Sequence, residues 1–194
     1  GVMDDTDLAR RLAQDLDGAF ELLVRGHVDR CYTIALRMLG DPREAEEVAQ
    51  DALVRAYRAL QRYEPDRIRA LQLRGWLATI VANLSRNRLR RRRVDARPLE
   101  PLVAAGREPA AGAGTDPHAV AARRGEQDRL AQAVLALPER YRLPVVLRHV
   151  DELSYAELVE VLGRPEGTIK AQVHRGLAML RAALGAAELE ERIA

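Results

Sequence analysis

Apolar residues recur along most of the chain at intervals of three and four positions, which is the spacing of an amphipathic α-helix. In the first half of the sequence, Asp41 followed by Pro42 predicts a capped helix start, and Gly40 predicts the end of the preceding helix. Pro65 interrupts the spacing, so residues 61–73 are predicted to form a loop or a short turn. The helices predicted in this half cover residues 20–39, 42–60 and about 74–92.

The second half of the chain carries the same helical spacing. Pro144 is predicted to start or kink one helix, and Ser154 with Glu157 predicts a capping box at the start of a short helix that Gly163 ends. A last helix is predicted over about 165–184. Because no segment alternates with period two over the length of a strand, the predicted fold class is all-α.

Residues 94–122 lack helical spacing and contain four prolines and three glycines. A tract of this length without secondary structure is unusual inside one compact domain, so it is predicted to be a flexible linker between two small helical domains. The predicted organisation is an N-terminal extension (1–16), a first domain (17–95), the linker (96–122), a second domain (123–186) and a C-terminal tail (187–194).

The composition is that of a globular protein, with 47% hydrophobic and 4% aromatic residues in 194. No apolar run approaches the roughly 18 residues of a membrane span, so no membrane insertion is expected. Residues 1–17 carry five Asp and lack an apolar core, so they do not resemble a secretory signal. With Cys31 as the single cysteine, a reducing, cytoplasmic setting is predicted.

Charge is distributed unevenly along the chain. Residues 1–60 hold 8 Arg against 12 acidic residues, giving −4, whereas residues 61–97 hold 11 Arg against 3, giving +8. A concentrated basic block indicates nucleic acid or an anionic membrane surface as a partner. The alternative is a solvated arginine face without a partner.

The residues of catalytic chemistry do not form a recognisable motif. His27 and Cys31 are four apart on one helix, but no further metal ligand lies nearby, and a buried cysteine beside a surface histidine is the favoured interpretation. The acidic residues of the 42–60 helix lack the Glu-x-x-His pattern, and neither a glycine-rich phosphate loop nor a nucleophile elbow is present. The chain is therefore predicted to be no enzyme and to need no metal or cofactor.

Residues 154–184 have the arrangement of a helix-turn-helix, in which the second helix enters the major groove of DNA. Ile169, Val173 and Leu177 form its inward stripe. An ordinary helical hairpin is the alternative. The residues left toward the outside, and predicted to contact DNA, are Thr168, Lys170, Ala171, Gln172, His174 and Arg175.

A second candidate nucleic-acid surface lies on the 74–93 helix, where arginines and asparagines recur at three- and four-residue spacing. Arginines neutralise phosphates and asparagines can bond base edges. A solubilising basic face would explain the arginines but not the asparagines, which are poor helix formers. The predicted contact residues are Asn83, Arg86, Asn87, Arg90 and Arg91.

Four strings in this order resemble the extracytoplasmic-function (ECF, group IV) sigma factors of bacterial RNA polymerase, within the sigma-70 family. The strings are GDPREAEEVAQDALVRAYRAL (40–60), GWLATIVANLSRNRLRRRR (75–93), ALPERYRLPVVLRHVDELSYAELVEVLG (136–163) and EGTIKAQVHRGLAMLR (166–181). The resemblance runs from about residue 17 to 185.

The resemblance implies a factor that binds core RNA polymerase, directs it to promoter DNA and helps melt the −10 region. It implies two domains, sigma region 2 and sigma region 4. It assigns Glu47, Gln50, Asp51 and Arg55 to the clamp coiled coil of the polymerase, with the flap as a further contact. It assigns loop 62–73 and the asparagine–arginine set of the 74–93 helix to the melted −10 strand, and the helix-turn-helix to the −35 duplex. An anti-sigma factor is an expected partner, one that could hold the chain near the membrane.

Two other functions are weighed against this one. A stand-alone helix-turn-helix regulator would explain residues 123–185 but gives no role to the 83–93 basic block or to the acidic helix. A helical adaptor that binds only a protein partner is the third possible function. Binding to core polymerase together with promoter-specific transcription separates the three functions.

Overall fold

The computed structural model describes residues 4–95 and 117–193, and over these residues the protein forms nine α-helices and no β-strand. The all-α prediction is confirmed. The helices are α1 (Asp5–Gln14), α2 (Leu16–Leu39), α3 (Pro42–Leu60), α4 (Pro65–Arg69), α5 (Leu73–Asp95), α6 (Pro117–Ala136), α7 (Glu139–His149), α8 (Tyr155–Leu162) and α9 (Glu166–Ile193). We refer to α1–α5 as the N-terminal unit and to α6–α9 as the C-terminal unit.

Three residues that the sequence marks as helix caps, Gly40, Asp41 and Gly163, lie at helix ends in the structure. Asp41 Oδ1 accepts hydrogen bonds from the backbone N–H groups of Arg43, at 2.8 Å, and Glu44, at 3.1 Å. Gly40 ends α2 with φ +75°, a left-handed conformation that residues with a Cβ rarely adopt. Gly163 ends α8 in the same way, with φ +63°. The sequence signals for caps therefore located these boundaries correctly.

The structure differs from the prediction at several connections. Helix α4 lies inside the predicted loop 61–73, and α7 begins at Glu139, so Pro144 lies within that helix. Helix α6 begins at Pro117, inside the predicted linker, because proline suits a first helical position and the residues after it are good helix formers. The predicted N-terminal extension contains α1, and the predicted tail continues α9 as far as Ile193.

Helix α2 lies at the centre of the fold and packs against helices of both units: α1, α3 and α5 of its own, and α6 and α7 of the other. The core is built mainly of Leu, Val and Ala. Leu8 and Leu12 of α1 are buried in it, which explains why this segment is a helix and not a loose extension. The same core cluster extends through Val146, Leu158 and Ile169, so the two units share one buried interior.

Two polar side chains of α2 lie in this interior. Cys31 is buried as predicted, and burial raises the pKa of its thiol to about 11. His27 is also buried, so the prediction of a surface histidine was wrong. Helix α1, which the sequence pattern did not reveal, covers it and brings Asp5 Oδ1 to 3.3 Å from His27 Nε2. Burial lowers the pKa of His27, and Asp5 opposes that shift.

Across the described ranges, none of the helices combines the length and the apolar character needed to cross a lipid bilayer.

Candidate nucleic-acid interface

The helix-turn-helix is formed by α8 and α9. Ser154 Oγ accepts a hydrogen bond from the Glu157 N–H at 3.2 Å, and Glu157 Oε2 accepts one from the Ser154 N–H at 2.7 Å, which completes the predicted capping box. The orientation of α9 is fixed by Ile169 and Val173, which are almost fully buried. The opposite side of the first three turns of α9 faces solvent.

Gly176 allows α9 to approach α7 closely. A Cβ at this position would lie only 2.6 Å from Val145 Cγ2, which is too short unless the Val145 side chain shifts. The contact holds α9 against α7 immediately after Arg175, whose side chain is exposed. Its neighbour His174 is exposed as well.

Two of the six residues predicted to contact duplex DNA have partners within the chain. Lys170 Nζ lies 2.6 Å from Glu166 Oε1, and a hydrogen bond from Lys170 to this carboxylate raises the lysine pKa. Gln172 is half-buried and accepts a hydrogen bond from Arg164 Nη1 at 3.0 Å. Thr168 and Ala171 are exposed, as predicted.

The five residues predicted to contact single-stranded DNA all lie exposed on α5. Arg90 Nη2 donates a hydrogen bond to Asn87 Oδ1 at 3.2 Å, so these two side chains support each other on the surface. Arg86 Nε lies 3.2 Å from Glu139 Oε1 of α7. The side chains of Asn83 and Arg91 form no hydrogen bond or ion pair with residues of the described ranges.

Other arginines of the same run have an internal role. Arg88 Nη1 donates to Glu47 Oε2 at 2.7 Å, and this hydrogen bond raises the pKa of Arg88. Arg92 donates from Nε to Glu44 Oε1 at 3.2 Å and from Nη1 to the carbonyl of Leu39 at 3.0 Å. These two arginines join α5 to α3 and to the end of α2, which leaves the remaining faces of α5 for a ligand.

Helix α3 presents its polar side to solvent. Its buried stripe includes Ala45, Val48, Ala49, Ala52 and Ala56, and the small side chains let α3 pack closely on α2 and α5. The four residues predicted to contact polymerase are all exposed: Glu47, Gln50, Asp51 and Arg55. Of these four residues, Glu47 also forms an ion pair with Arg88.

The segment between α3 and α5 carries an aromatic cluster. The ring centroids of Tyr63 and Trp76 are 6.2 Å apart, and the guanidinium carbon of Arg67 lies 3.7 Å from the centre of the Tyr63 ring. Residues 70–72 and Trp76 line a cavity of about 380 Å³, whose other wall is α8 of the C-terminal unit. Aromatic side chains are surfaces on which proteins stack unpaired bases.

Within the described ranges, no group of three or more His, Cys, Asp or Glu side chains is placed to hold a metal ion.

Sequence reasoning missed the residues that connect the two units. Arg30 Nε of α2 donates to Asp151 Oδ1 at 2.7 Å, and Asp151 is only 4% exposed. Burial raises the pKa of this carboxyl group, and Arg30 opposes the shift. Arg142 Nη1 of α7 donates to the Met38 carbonyl at 2.7 Å. No local motif marks such pairs, because the partners are more than 100 positions apart in sequence.

A helix-turn-helix beside a second helix with exposed arginines and asparagines is typical of a DNA-binding protein. Comparison with known protein families identifies which class of DNA-binding protein this is. Residues 23–94 match sigma-70 region 2, and residues 127–180 match sigma-70 region 4.

Three known proteins illustrate the likeness. The ECF RNA polymerase sigma factor SigW of Bacillus subtilis is 34% identical over 169 residues, covering 84% of this chain and 87% of SigW. The structure of CnrH in complex with the cytosolic domain of CnrY is similar with a TM-score of 0.68 and 26% identity, over 94% of this chain and 97% of that one. The sigma factor RpoE of Bartonella quintana, solved with the anti-sigma factor NepR, shares the fold with a TM-score of 0.64 and 22% identity, over 89% and 98% of the two chains.

The chain belongs to the extracytoplasmic-function group of the sigma-70 family of RNA polymerase sigma factors. It is a sigma factor and not a stand-alone helix-turn-helix regulator, because the region 2 match covers the half of the chain to which a regulator would give no role.

Proposed function

We propose that this sigma factor uses three separate surfaces: the polar side of α3 for core RNA polymerase, the exposed side of α5 for the melted −10 strand, and the first turns of α9 for the −35 duplex. The observation that carries the proposal is that all three residue sets lie on solvent-facing sides of helices whose opposite sides are buried. Each surface is therefore supported by the buried side of its own helix.

The chemistry of each surface matches its proposed ligand. Arg175 can make a bidentate contact to a guanine edge in the major groove, and Thr168 and His174 flank it. Arg90 and Arg91 supply positive charge for phosphates, whereas Asn83 offers both a donor and an acceptor to an unpaired base. Residues 70–72 and Trp76, which form one wall of the cavity, would contact a flipped base in the segment before α5.

The polar side of α3 suits a protein partner. Asp51 and Gln50 are exposed, and Arg55 adds a charge of the opposite sign at the edge of the same surface. We assign this surface to the clamp coiled coil of the polymerase, and the C-terminal unit to the flap. The sigma factor itself catalyses no reaction in this scheme, because phosphodiester bond formation belongs to the polymerase.

An anti-sigma factor is a further proposed partner. Support comes from the relative RpoE, which was solved in complex with the anti-sigma factor NepR. We propose a cytoplasmic location for the sigma factor, where both polymerase and such an inhibitor could bind it.

Two measurements test the proposal. Purified chain is incubated with core RNA polymerase and captured, and the resulting holoenzyme is then tested by run-off transcription on a library of genomic promoter fragments. We expect capture together with transcription from a defined subset of promoters. The variant with Gln50→Ala and Asp51→Ala should be captured less well than the control variant Glu21→Ala, which alters an exposed acid on α2. Equal capture of both variants would contradict the assignment of α3.

A further inference from the structure

The turn between α8 and α9 holds an arginine, Arg164, against the side of α9. Arg164 follows Gly163, whose φ of +63° ends α8, and precedes Pro165, whose ring disfavours a helical backbone at the residue before it. The side chain of Arg164 is half-buried, and its Nη1 donates a hydrogen bond to Gln172 Oε1 at 3.0 Å. The backbone of Arg164 is therefore constrained on both sides, and its side chain has a partner in the second turn of α9.

This hydrogen bond determines how the amide group of Gln172 is oriented. An arginine guanidinium carries five N–H donors and no acceptor, so only the amide oxygen of Gln172 can face it. The amide nitrogen forms no hydrogen bond with the residues that the structure describes, and it is not buried, so its two N–H groups are open to solvent. The free hydrogen-bonding atoms that Gln172 offers to a ligand are therefore donors.

The orientation of this amide decides which base edge Gln172 matches in the major groove. A glutamine contacts adenine through two hydrogen bonds at once, in which its oxygen accepts from N6 and its nitrogen donates to N7. That contact needs both amide atoms at the same base edge, whereas the oxygen of Gln172 is bonded to Arg164. Guanine presents two neighbouring acceptors, N7 and O6, which match the two donors of the amide nitrogen.

We infer that Arg164 is a positioning residue for base recognition: by holding Oε1 of Gln172, it leaves the amide N–H groups for the −35 duplex and changes the preference of Gln172 from adenine to guanine. This inference rests on the proposed assignment of α9 to the −35 duplex. Arg175 lies three positions after Gln172 and so is its neighbour on the helix surface. Because Arg175 is also proposed to contact guanine, the two side chains together select guanine at two base pairs.

The first test measures the affinity of the polymerase holoenzyme for a promoter duplex recovered from the run-off library and for its single base-pair variants across the −35 element. Gln172→Met keeps the length of the side chain and removes the amide group. The base pair at which this variant loses discrimination is therefore the one that Gln172 contacts. At that base pair, we expect wild type to bind guanine about fivefold more tightly than adenine, the effect of one additional hydrogen bond.

The second test separates the positioning role of Arg164 from its charge. Arg164→Met has no donor, so the oxygen of Gln172 is free to turn toward the base, and the preference should change toward adenine. Arg164→Lys can still donate to this oxygen, so the preference for guanine should be kept. Arg181→Met is the matched control, because it removes an exposed arginine from the same helix. Loss of a phosphate contact weakens binding to all duplexes and leaves the ratio of guanine to adenine affinity unchanged.

Gln172→Glu tests the same orientation without changing Arg164. A carboxylate has no donor for guanine, but it can accept a hydrogen bond from N4 of cytosine. At the base pair that Gln172 contacts, this variant should therefore prefer cytosine to guanine. The thermal unfolding midpoint of each variant, followed by circular dichroism, should stay close to that of wild type, because each change conserves the approximate size of a side chain that is not fully buried.

The outcomes distinguish the inference from the proposed function. The inference is overturned if Gln172→Met loses discrimination at no base pair, if wild type prefers adenine at the base pair that Gln172 contacts, or if Arg164→Met keeps the wild-type preference. In each of these cases, discrimination at another −35 base pair that is lost in Arg175→Ala would leave the proposed function standing. If the wild-type holoenzyme discriminates at no −35 base pair, the assignment of α9 is wrong and the inference fails with it.

Discussion

Replacing Arg175 with alanine tests base recognition by α9 with little disturbance of the fold. The side chain of Arg175 is exposed, whereas α9 is anchored by Val173 and by the close approach of Gly176 to Val145. Removing an exposed side chain away from such anchors changes the free energy of unfolding by no more than about 0.5 kcal/mol. Any larger loss in DNA binding therefore reflects the missing contact.

The expected loss can be estimated from the contact that Arg175 is proposed to make. A bidentate arginine–guanine contact contributes about 1–3 kcal/mol of discrimination against the wrong base. At about 1.4 kcal/mol for each factor of ten, this equals roughly 5- to 150-fold weaker binding at one base pair. Arg181 is the matched control, because it is an exposed arginine of the same helix about 9 Å further along its axis at about 1.5 Å per residue.

The assay measures holoenzyme affinity for a promoter duplex and for a set of its single base-pair variants in the −35 element. Wild type should discriminate strongly at one position, and Arg175→Ala should lose that preference while keeping the others. Arg181→Ala should retain the full pattern and lose, at most, affinity shared by all duplexes. If Arg175→Ala weakens every duplex equally, the arginine contacts phosphate and the proposed recognition is wrong.

Three further predictions concern the other surfaces and the buried histidine. Asp51→Ala should lower polymerase affinity several-fold with unchanged helical circular dichroism, and unaltered capture would refute the docking surface. Asn83→Ala should slow promoter opening more than initial binding. A pre-melted bubble template should therefore rescue Asn83→Ala more than Arg175→Ala, and equal rescue would contradict a contact of Asn83 with the melted strand. His27 has a lowered pKa in the folded protein, so the unfolded chain takes up its proton first as the pH falls through about 6.5. The free energy of unfolding should therefore fall from pH 7.5 to 5.5, and His27→Gln should reduce that fall. An equally steep fall in His27→Gln would assign the pH dependence to other groups.

Both ends of α8 and the start of α9 could be predicted almost residue by residue, because their signals are local. The Ser154–Glu157 capping box and Gly163 each depend on neighbours within one turn, and α8 begins and ends where they indicate. The inward stripe of α9 was equally clear, since Ile169 and Val173 are buried as predicted. Local rules succeed where the partners of a residue are close in sequence.

The relation between the two units could not be predicted, because it depends on pairs that are distant in sequence. Glu139 has the sequence context of an ordinary acid in a first helical turn, and only the packing of α7 on α2 brings it to Arg86. His27 was assigned to the surface for the same reason: the helix that covers it, α1, lies in a segment that the apolar spacing did not reveal. A composition rich in proline and glycine predicted a linker, but it gave no information on how the two units pack against each other.

Some arginines of α5 form ion pairs with acidic residues of the same chain. Arg88 and Arg92 are four positions apart and lie on one face, and their acceptors Glu47 and Glu44 are three apart on one face of α3. Residues three or four positions apart lie on one face of a helix, so two arginines of α5 can pair with two acids of α3 at the same time. These two arginines therefore have ion-pair partners inside the N-terminal unit. The arginines available for DNA are those on the other faces of α5. Two of these, Arg86 and Arg93, form ion pairs with the same carboxylate, Glu139. The charge of +8 over residues 61–97 therefore overstates the positive charge that the folded protein offers to a nucleic acid.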